Sequence, residues 1–335
     1  MSGKLSFEGI FPVILGHEAV SVVDKLGPEA AVSYGFREGD LVGATLWHNM
    51  CMTCVNCKDV GTEYCSRNKM VGVTRPGYFA EFTLVDAANA VVIARGDSDG
   101  GDTGNIPSPT VLSPLFCAGV TVWDALEQAH LHPGETVAVI GAGGLGELAI
   151  RYAQALGGYT LALDVRNEQL QACKGNGGAN ETINTGALSP EAVREEIRRV
   201  NKGRAVDVAI VTASAVAAYQ TAFDILRPEG ILVVVGMPAE SFPLSLTRFG
   251  AMGFQYVLLL VLISFYCLLT ALSNRMIGAK APGRISTEKC LDFSLRKNIL
   301  PRVNPRIFRL EEINEMVALM EDGQVQDGRM VIEFP

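Results

Sequence analysis

The sequence has no basic run or basic patch signature, and this sets the first limit on what the chain does. Lysine and arginine total 28 against 36 aspartates and glutamates, for a net charge of −8 and a pI near 5.2. A protein that follows a phosphate backbone needs the opposite balance, so nucleic acid is excluded as a partner. The opening residues, MSGKLSFEGIF, also lack a long apolar stretch behind a basic start. No signal peptide is read there, and a cytoplasmic location is the expectation. Disulfides are rare in that compartment, and eight cysteines are compatible with it where they serve as metal ligands rather than cross-links. At 335 residues the chain is long enough for two domains with large cores.

The stretch Thr136–Asp164, TVAVIGAGGLGELAIRYAQALGGYTLALD, carries the strongest pattern. A β-branched, nearly uncharged run (Thr136–Ile140) meets Gly141, Gly143 and Gly146. A helical segment follows, apolar at Leu145, Leu148, Tyr152 and Leu156, and a second apolar strand closes on Asp164. Gly141 permits the tight strand-to-helix turn, Gly143 lets the backbone approach a pyrophosphate, and Gly146 lets the helix pack closely on the strand. Gly144 and Leu145 sit at the helix N-terminus, whose free N–H groups and positive dipole end favour phosphates. Asp164 lies eighteen residues after Gly146, where a carboxylate accepts both ribose hydroxyls and repels a 2′-phosphate. NAD is therefore the expected cofactor, with Arg166 partly offsetting the repulsion.

The segment through about Leu84 is Gly-rich, with strands expected at Ala19–Val23, Asp40–Thr45 and Tyr78–Val85. It contains Gly16-His17-Glu18. Alone, such a histidine is more often a satisfied buried side chain than a ligand, but the cysteines downstream change its meaning. Cys51, Cys54, Cys57 and Cys65 are spaced CxxCxxCx7C within one fifteen-residue loop. Four thiolates can surround a tetrahedral zinc at about 2.3 Å each, and such a closed site leaves no position for a substrate. A redox CxxC pair, or unconnected buried cysteines, would not need four at this spacing. The role read here is structural.

Together these motifs carry a resemblance. GHE, the four-cysteine loop, LFCAGVTVWDAL (Leu115–Leu126), the glycine fingerprint and VVVGMP (Val233–Pro238) follow the order and spacing of the zinc-dependent alcohol dehydrogenases. These belong to the medium-chain dehydrogenase/reductase superfamily, and the chain looks closest to its microbial tetrameric branch. The likeness runs from about Phe11 to the C-terminus with one interruption. It implies an α/β protein, a GroES-like β-rich catalytic domain joined to a Rossmann doubly wound parallel sheet. It also implies a homo-oligomer, tetramer or dimer, and a small alcohol or aldehyde as substrate. By position, His17 and Cys117 match ligands of a catalytic zinc, and Glu18 the acidic neighbour beside the metal. Thr121 matches a residue near the nicotinamide, Val235 and Met237 a cofactor-lining strand end, and Arg329 in GRMVIEF a pyrophosphate contact. By itself Cys117 would read as a small buried apolar residue. The implied reaction is reversible oxidation of a primary or secondary alcohol to an aldehyde or ketone, with zinc polarising the substrate oxygen.

The chain departs from the family in two places. The family supplies a further zinc cysteine and a polar proton-relay residue upstream of the GHE histidine, whereas only sixteen residues precede His17 here and none is cysteine. His17, Cys117 and Glu18 then have to suffice for a site that normally has three protein ligands and one open position. An inactive, zinc-stapled nucleotide-binding protein is the alternative. The second departure is Tyr256–Leu272, YVLLLVLISFYCLLTAL, in an uncharged span from Phe249 to Asn274 long enough to cross a bilayer. A spanning helix there would divide one Rossmann sheet across a membrane. Gln255-Tyr256-Val257 permits a GTATGT splice donor and Asn274-Arg275 an AG acceptor, and excision joins Gly253-Phe254 to Met276-Ile277-Gly278. The segment reads as a translated intron; a surface helix and a membrane segment, the latter making a membrane-associated protein, are the alternatives.

Ala94–Pro109, ARGDSDGGDTGNIPSP, reads as a surface loop. The expected organisation is a catalytic domain over 1–115 with its zinc loop at 51–65, and a cofactor domain over 116–282 carrying the insertion near 256–275. A segment over 283–335 completes the cofactor sheet and returns to the first domain. Strands expected at Glu181–Asn184, Val206–Thr212 and Ile231–Val235 alternate with helices at Pro190–Val200 and Ala215–Leu226, as a parallel sheet requires. Toward the C-terminus, helices are expected at Ser286–Lys297 and Glu311–Met320 and strands near Ile307–Leu310 and Arg329–Phe334. Cys173, Cys267 and Cys290 have no metal spacing.

Overall fold

The structure, a computed structural model, describes residues 12–96, 106–175, 178–238, 275–322, 325 and 328–335. The apolar segment Tyr256–Leu272 lies outside the described residues, as does most of the Ala94–Pro109 loop. The chain forms two compact units, one from Met1–Thr121 with Ala281–Pro335 and the other from Val122–Lys280.

In the first unit, β1 (Ala19–Val22), β2 (Leu41–Ala44) and β5 (Ala90–Ala94) form an antiparallel sheet in the order β1–β2–β5. α1 (Pro28–Tyr34) joins the first two strands, and β3 (Trp47–His48) pairs with β4 (Lys69–Met70) beside the cysteine loop. Asp40, at the foot of β2, is fully buried. It accepts N–H bonds from Arg37 at 2.9 Å and Gly96 at 3.2 Å and pairs with Arg95 at 2.8 Å. α2 (Pro109–Leu112) leads into a tight turn, Ser113–Phe116. Leu112, Leu115 and Phe116 pack with Val91 and Leu291 into a core under the sheet. Gly43 makes room for that packing, since a methyl there would lie 1.8 Å from the Phe116 ring. The next residue, Cys117, is thereby fixed beside the strand that follows His17. α8 (Arg284–Lys297) supplies Leu291, and α9 (Ile313–Glu321) follows the last loop.

The expected strand Tyr78–Val85 is not one. The N–H groups of Gly77, Tyr78 and Phe79 donate to the carbonyls of Ile14, Gly16 and Leu15 at 2.7, 2.9 and 2.9 Å, an order no regular ladder produces. Gly16 breaks its partner's extended path with φ +91°. The expected strands near 307–310 and 329–334 shrink to two isolated parallel bridges, Val303 with Arg329 and Phe308 with Ile332. Pro301 and Pro305 flank the bridged Val303 and have no N–H to donate to a ladder.

The second unit begins inside α3 (Ala118–Ala129) and continues through β6 (Thr136–Ile140), α4 (Gly144–Ala155), β7 (Tyr159–Asp164), α5 (Asn167–Gly175) and β8 (Glu181–Asn184). α6 (Pro190–Val200), β9 (Val206–Val211), α7 (Val216–Ile225), β10 (Leu226–Val234) and β11 (Arg275–Gly278) complete it. Every pair in the six-stranded sheet is parallel, in the order β11–β10–β9–β6–β7–β8. This is the doubly wound sheet the alternating pattern predicts. All five residues of β6 are buried, as a central strand covered by helices requires. Winding reverses between β6 and β9, so the crevice at their C-terminal ends is the switch point where α/β sheets bind ligands. α6 starts and ends where the sequence predicts because Ser189 accepts the Ala192 N–H at 3.2 Å, Pro190 opens the first turn, and Val193 and Ile197 are buried. β10 starts earlier than expected, at Leu226, with a register shift before Ile231.

Among the described residues no single helix is long and apolar enough to cross a membrane. The bent pair Pro109–Phe116 and Ala118–Ala129 passes by length and composition, but its Leu112, Leu115, Phe116, Val120 and Val122 are at most 1 % exposed. They are core residues of a folded chain.

Candidate active site and metal centres

The four loop cysteines converge. Cys51 Sγ lies 3.6 Å from Cys65 Sγ and 3.9 Å from Cys57 Sγ, and all four sulfurs fall within 4.8 Å of one another. A tetrahedral zinc with bonds of about 2.3 Å separates its sulfurs by about 3.8 Å, so the cage has the right dimensions. Backbone N–H groups already point at the sulfurs: Cys51 to Cys65 at 3.3 Å, Cys54 to Cys51 at 3.3 Å, Cys57 to Cys54 at 3.5 Å and Arg67 to Cys65 at 3.4 Å. Donors aimed at sulfur stabilise thiolates. The N–H and hydroxyl of Thr53, then the N–H of Cys54, pull the Cys51 thiol down to about 5, while burial pushes Cys57 up to about 12.

The second cluster joins distant parts of the chain. His17 Nε2 lies 3.2 Å from Cys117 Sγ, and their ligand atoms lie within 4.8 Å of one another and of a Glu18 carboxylate oxygen. A zinc held by one nitrogen and one sulfur sets them about 3.5 Å apart, so the pair fits the metal. Burial lowers the His17 pKa; Glu18 raises it and Arg329 lowers it further. The imidazole is therefore neutral, with a lone pair to give. Burial, then the charge of Glu18, raise the Cys117 thiol to about 12, so it ionises when a metal replaces its proton. Arg329 donates to Glu18 Oε1 at 2.5 Å, and its own N–H donates to the Arg302 carbonyl at 2.8 Å. Thr121 is buried one turn along, its N–H donating to the Cys117 carbonyl at 3.0 Å.

In the other unit, Gly141 has φ +102°, and a methyl on it would lie 2.8 Å from the Ala213 nitrogen. A methyl on Gly146 would meet the Gly141 carbonyl at 1.9 Å, so the helix does pack hard on the turn. Gly143 has nothing within 4 Å of where a side chain would go, and as N-cap of α4 it leaves the first helical N–H groups without a side-chain partner. That opening suits a phosphate. Asp164 accepts the Ala142 N–H at 2.8 Å and the Arg166 N–H at 2.9 Å, with the Arg166 guanidinium 3.8 Å away. Val235 donates its N–H to the Val211 carbonyl at 3.0 Å, and Met237 stands 76 % exposed.

Two participants escaped the sequence reading. Thr212 donates its hydroxyl to the Gly141 carbonyl at 2.6 Å and holds the glycine turn from β9, yet as a lone threonine it carries no motif. Phe79 presses on Gly16, the residue before His17, and only the FAEF run beyond Gly77 could have drawn attention to it.

Comparison with known proteins gives matches over both units. Residues 1–95 match the alcohol dehydrogenase GroES-like domain, and residues 144–261 match the zinc-binding dehydrogenase domain. An alcohol dehydrogenase of Rhizobium meliloti is 30 % identical over 326 residues, covering 96 % of this chain and 83 % of that one. The alcohol dehydrogenase of the hyperthermophilic archaeon Aeropyrum pernix superposes with a TM-score of 0.78 at 22 % identity, over 96 % of this chain and 83 % of the other. CAD from Helicobacter pylori, solved with NADP(H), superposes with a TM-score of 0.73 at 22 % identity, over 96 % and 82 %.

Proposed function

Because the chain belongs to the zinc-dependent alcohol dehydrogenase family of oxidoreductases, we propose that it interconverts small primary or secondary alcohols with aldehydes or ketones, using NAD. The observation that carries this reading is the meeting of His17 and Cys117, one hundred residues apart, at 3.2 Å beside Glu18. A half-buried, neutral imidazole and a thiol that ionises only in exchange for a metal are the donors a catalytic zinc takes. A zinc bound there would polarise the substrate oxygen, and a bound nicotinamide would supply the hydride exchange with the substrate carbon. His17 and Cys117 would hold the metal; Glu18, held by Arg329, would set the local charge beside it. Thr121, one turn from Cys117, serves the nicotinamide end. Gly141 to Gly146 and the open N-terminus of α4 take the pyrophosphate, and Val235 and Met237 line the cofactor. Asp164 takes the adenosine ribose, since two N–H bonds occupy only part of a carboxylate's acceptor capacity. We further propose a cytoplasmic homo-oligomer whose cysteine loop holds a second, structural zinc.

The test is zinc analysis of the purified protein together with NAD reduction by a panel of short primary and secondary alcohols. Two zincs per chain and alcohol-dependent NADH formation are expected. One zinc, lost on replacing Cys54, with no turnover on any alcohol, overturns the catalytic reading and leaves only the loop.

A further inference from the structure

We propose that Phe79 is a positioning residue for His17, acting as a stop that keeps the preceding glycine from hinging; this rests on the reading of His17 as a zinc ligand. Gly16 sits at φ +91°, a conformation other residues avoid. Its Cα lies against the Phe79 ring so closely that a methyl there would be 2.5 Å from Cδ1 and 2.9 Å from Cε1. Two further backbone stretches close on the same peptide. A methyl on Gly77 would come 2.3 Å from the carbonyl oxygens of Leu15 and Gly16, and one on Gly72 would come 2.6 Å from the Gly16 oxygen. The Tyr78 N–H donates to that oxygen at 2.9 Å and the Phe79 N–H to Leu15 at 2.9 Å.

The close fit creates a problem that the ring solves. Only glycine fits between these walls, and glycine is also the residue freest to rotate. If it turns, the peptide joining it to His17 turns too, and the imidazole swings off the line to Cys117. Metal ligands need placement to about 0.5 Å, and a few degrees at the backbone moves Nε2, several bonds away, by that much. Phe79 removes the space into which Gly16 would rotate. It carries no donor for the metal, so its effect passes entirely through the histidine.

The test uses the full chain with Phe79→Ala, the milder Phe79→Leu and the ring-retaining Phe79→Tyr. Zinc release to a chelator is followed at both sites, with visible absorption of the cobalt-substituted protein to report the ligand geometry at His17. Expected is release at least tenfold faster from the His17–Cys117 site in Phe79→Ala, with loop zinc unchanged, a smaller effect in Phe79→Leu and near-native behaviour in Phe79→Tyr. A second readout needs no metal: in histidine-labelled apoprotein, the His17 imidazole gives one sharp NMR signal in wild type and a broadened or split one in Phe79→Ala. Equal loss from both sites, or an unchanged His17 signal in Phe79→Ala, overturns the proposal; if Phe79→Ala does not fold, Phe79→Leu is judged by the same criteria. Wild type with loop zinc alone would overturn the catalytic-zinc reading instead, and the NMR signal would then decide the positioning role by itself.

Discussion

The Arg329 guanidinium reaches Glu18 at 2.5 Å across 311 residues of sequence, tying the neighbour of His17 to the last stretch of the chain. Both side chains are mostly buried, at 30 % and 18 % exposure, so the pair is shielded enough to matter. Removing Arg329 leaves a carboxylate without its partner while its own backbone bond to Arg302 persists. In the metal-free protein, Arg329→Leu is expected to cost about 1–3 kcal/mol, and Glu18→Gln added to it to recover part of that loss. A double-mutant cycle by urea denaturation checks this; additive effects would mean the pair contributes nothing.

The glycine turn separates folding from binding. Gly143→Ala has room and an ordinary backbone angle, φ −74°, so the melting temperature should stay within about 1–2 °C, while NAD affinity falls at least tenfold because the methyl occupies the phosphate approach. Gly146→Ala should instead destabilise the fold by about 3 kcal/mol, since its methyl meets the Gly141 carbonyl. Calorimetric melting and NAD titration of both variants distinguish the two.

On the proposed reading, Asp164 would set cofactor choice. Wild type is expected to favour NAD over NADP by at least tenfold, and Asp164→Ser to narrow that ratio by weakening NAD and admitting the 2′-phosphate near Arg166. Equal use of both cofactors by the wild-type protein would refute the assignment.

Asp40 gives a pH signature of stability. Burial alone would raise its pKa, but the N–H groups of Arg37 and Gly96 and the guanidinium of Arg95 outweigh this and hold it below the usual carboxylate range. A group depressed in the folded state stabilises above its unfolded value, about 3.9, and loses that contribution as pH falls through the folded value. Asp40→Asn should therefore cost about 1–3 kcal/mol at pH 7 and progressively less below about pH 4. Urea melts at pH 7 and pH 3 provide the comparison.

In the zinc-stripped protein at neutral pH, Cys51 is expected to be alkylated at least tenfold faster than Cys57, because the Thr53 and Cys54 donors hold it as thiolate while burial keeps Cys57 protonated. Mass spectrometry after timed iodoacetamide labelling reads this order.

Local chemistry made part of this molecule legible. The glycine turn, Ser189-Pro190 at the head of α6, and the cysteine spacing each act within a few residues, and each stands where the sequence puts it. Tyr78–Val85 failed as a strand because its alternation says nothing about a partner broken by Gly16. The final segment failed for a related reason, since Pro301 and Pro305 interrupt the chain that Arg329–Phe334 pairs with. The His17–Cys117 cluster was legible only through likeness to a family, because a hundred intervening residues leave no periodicity to read. Thr212 and Phe79 were invisible for the same reason, as their roles exist only once β9 and the 72–79 loop are in place.

The hydrogen bonds already aimed at the loop sulfurs have a kinetic consequence. Because the fold holds all four donors within 4.8 Å, the chain need not search for its ligand arrangement when an ion arrives. Uptake should then be paced by loss of the ion's water shell and of the thiol protons, growing faster with rising pH, and should give little change in the far-ultraviolet spectrum. Zinc in this loop would act as a lock on a preorganised cage rather than as the agent that assembles it.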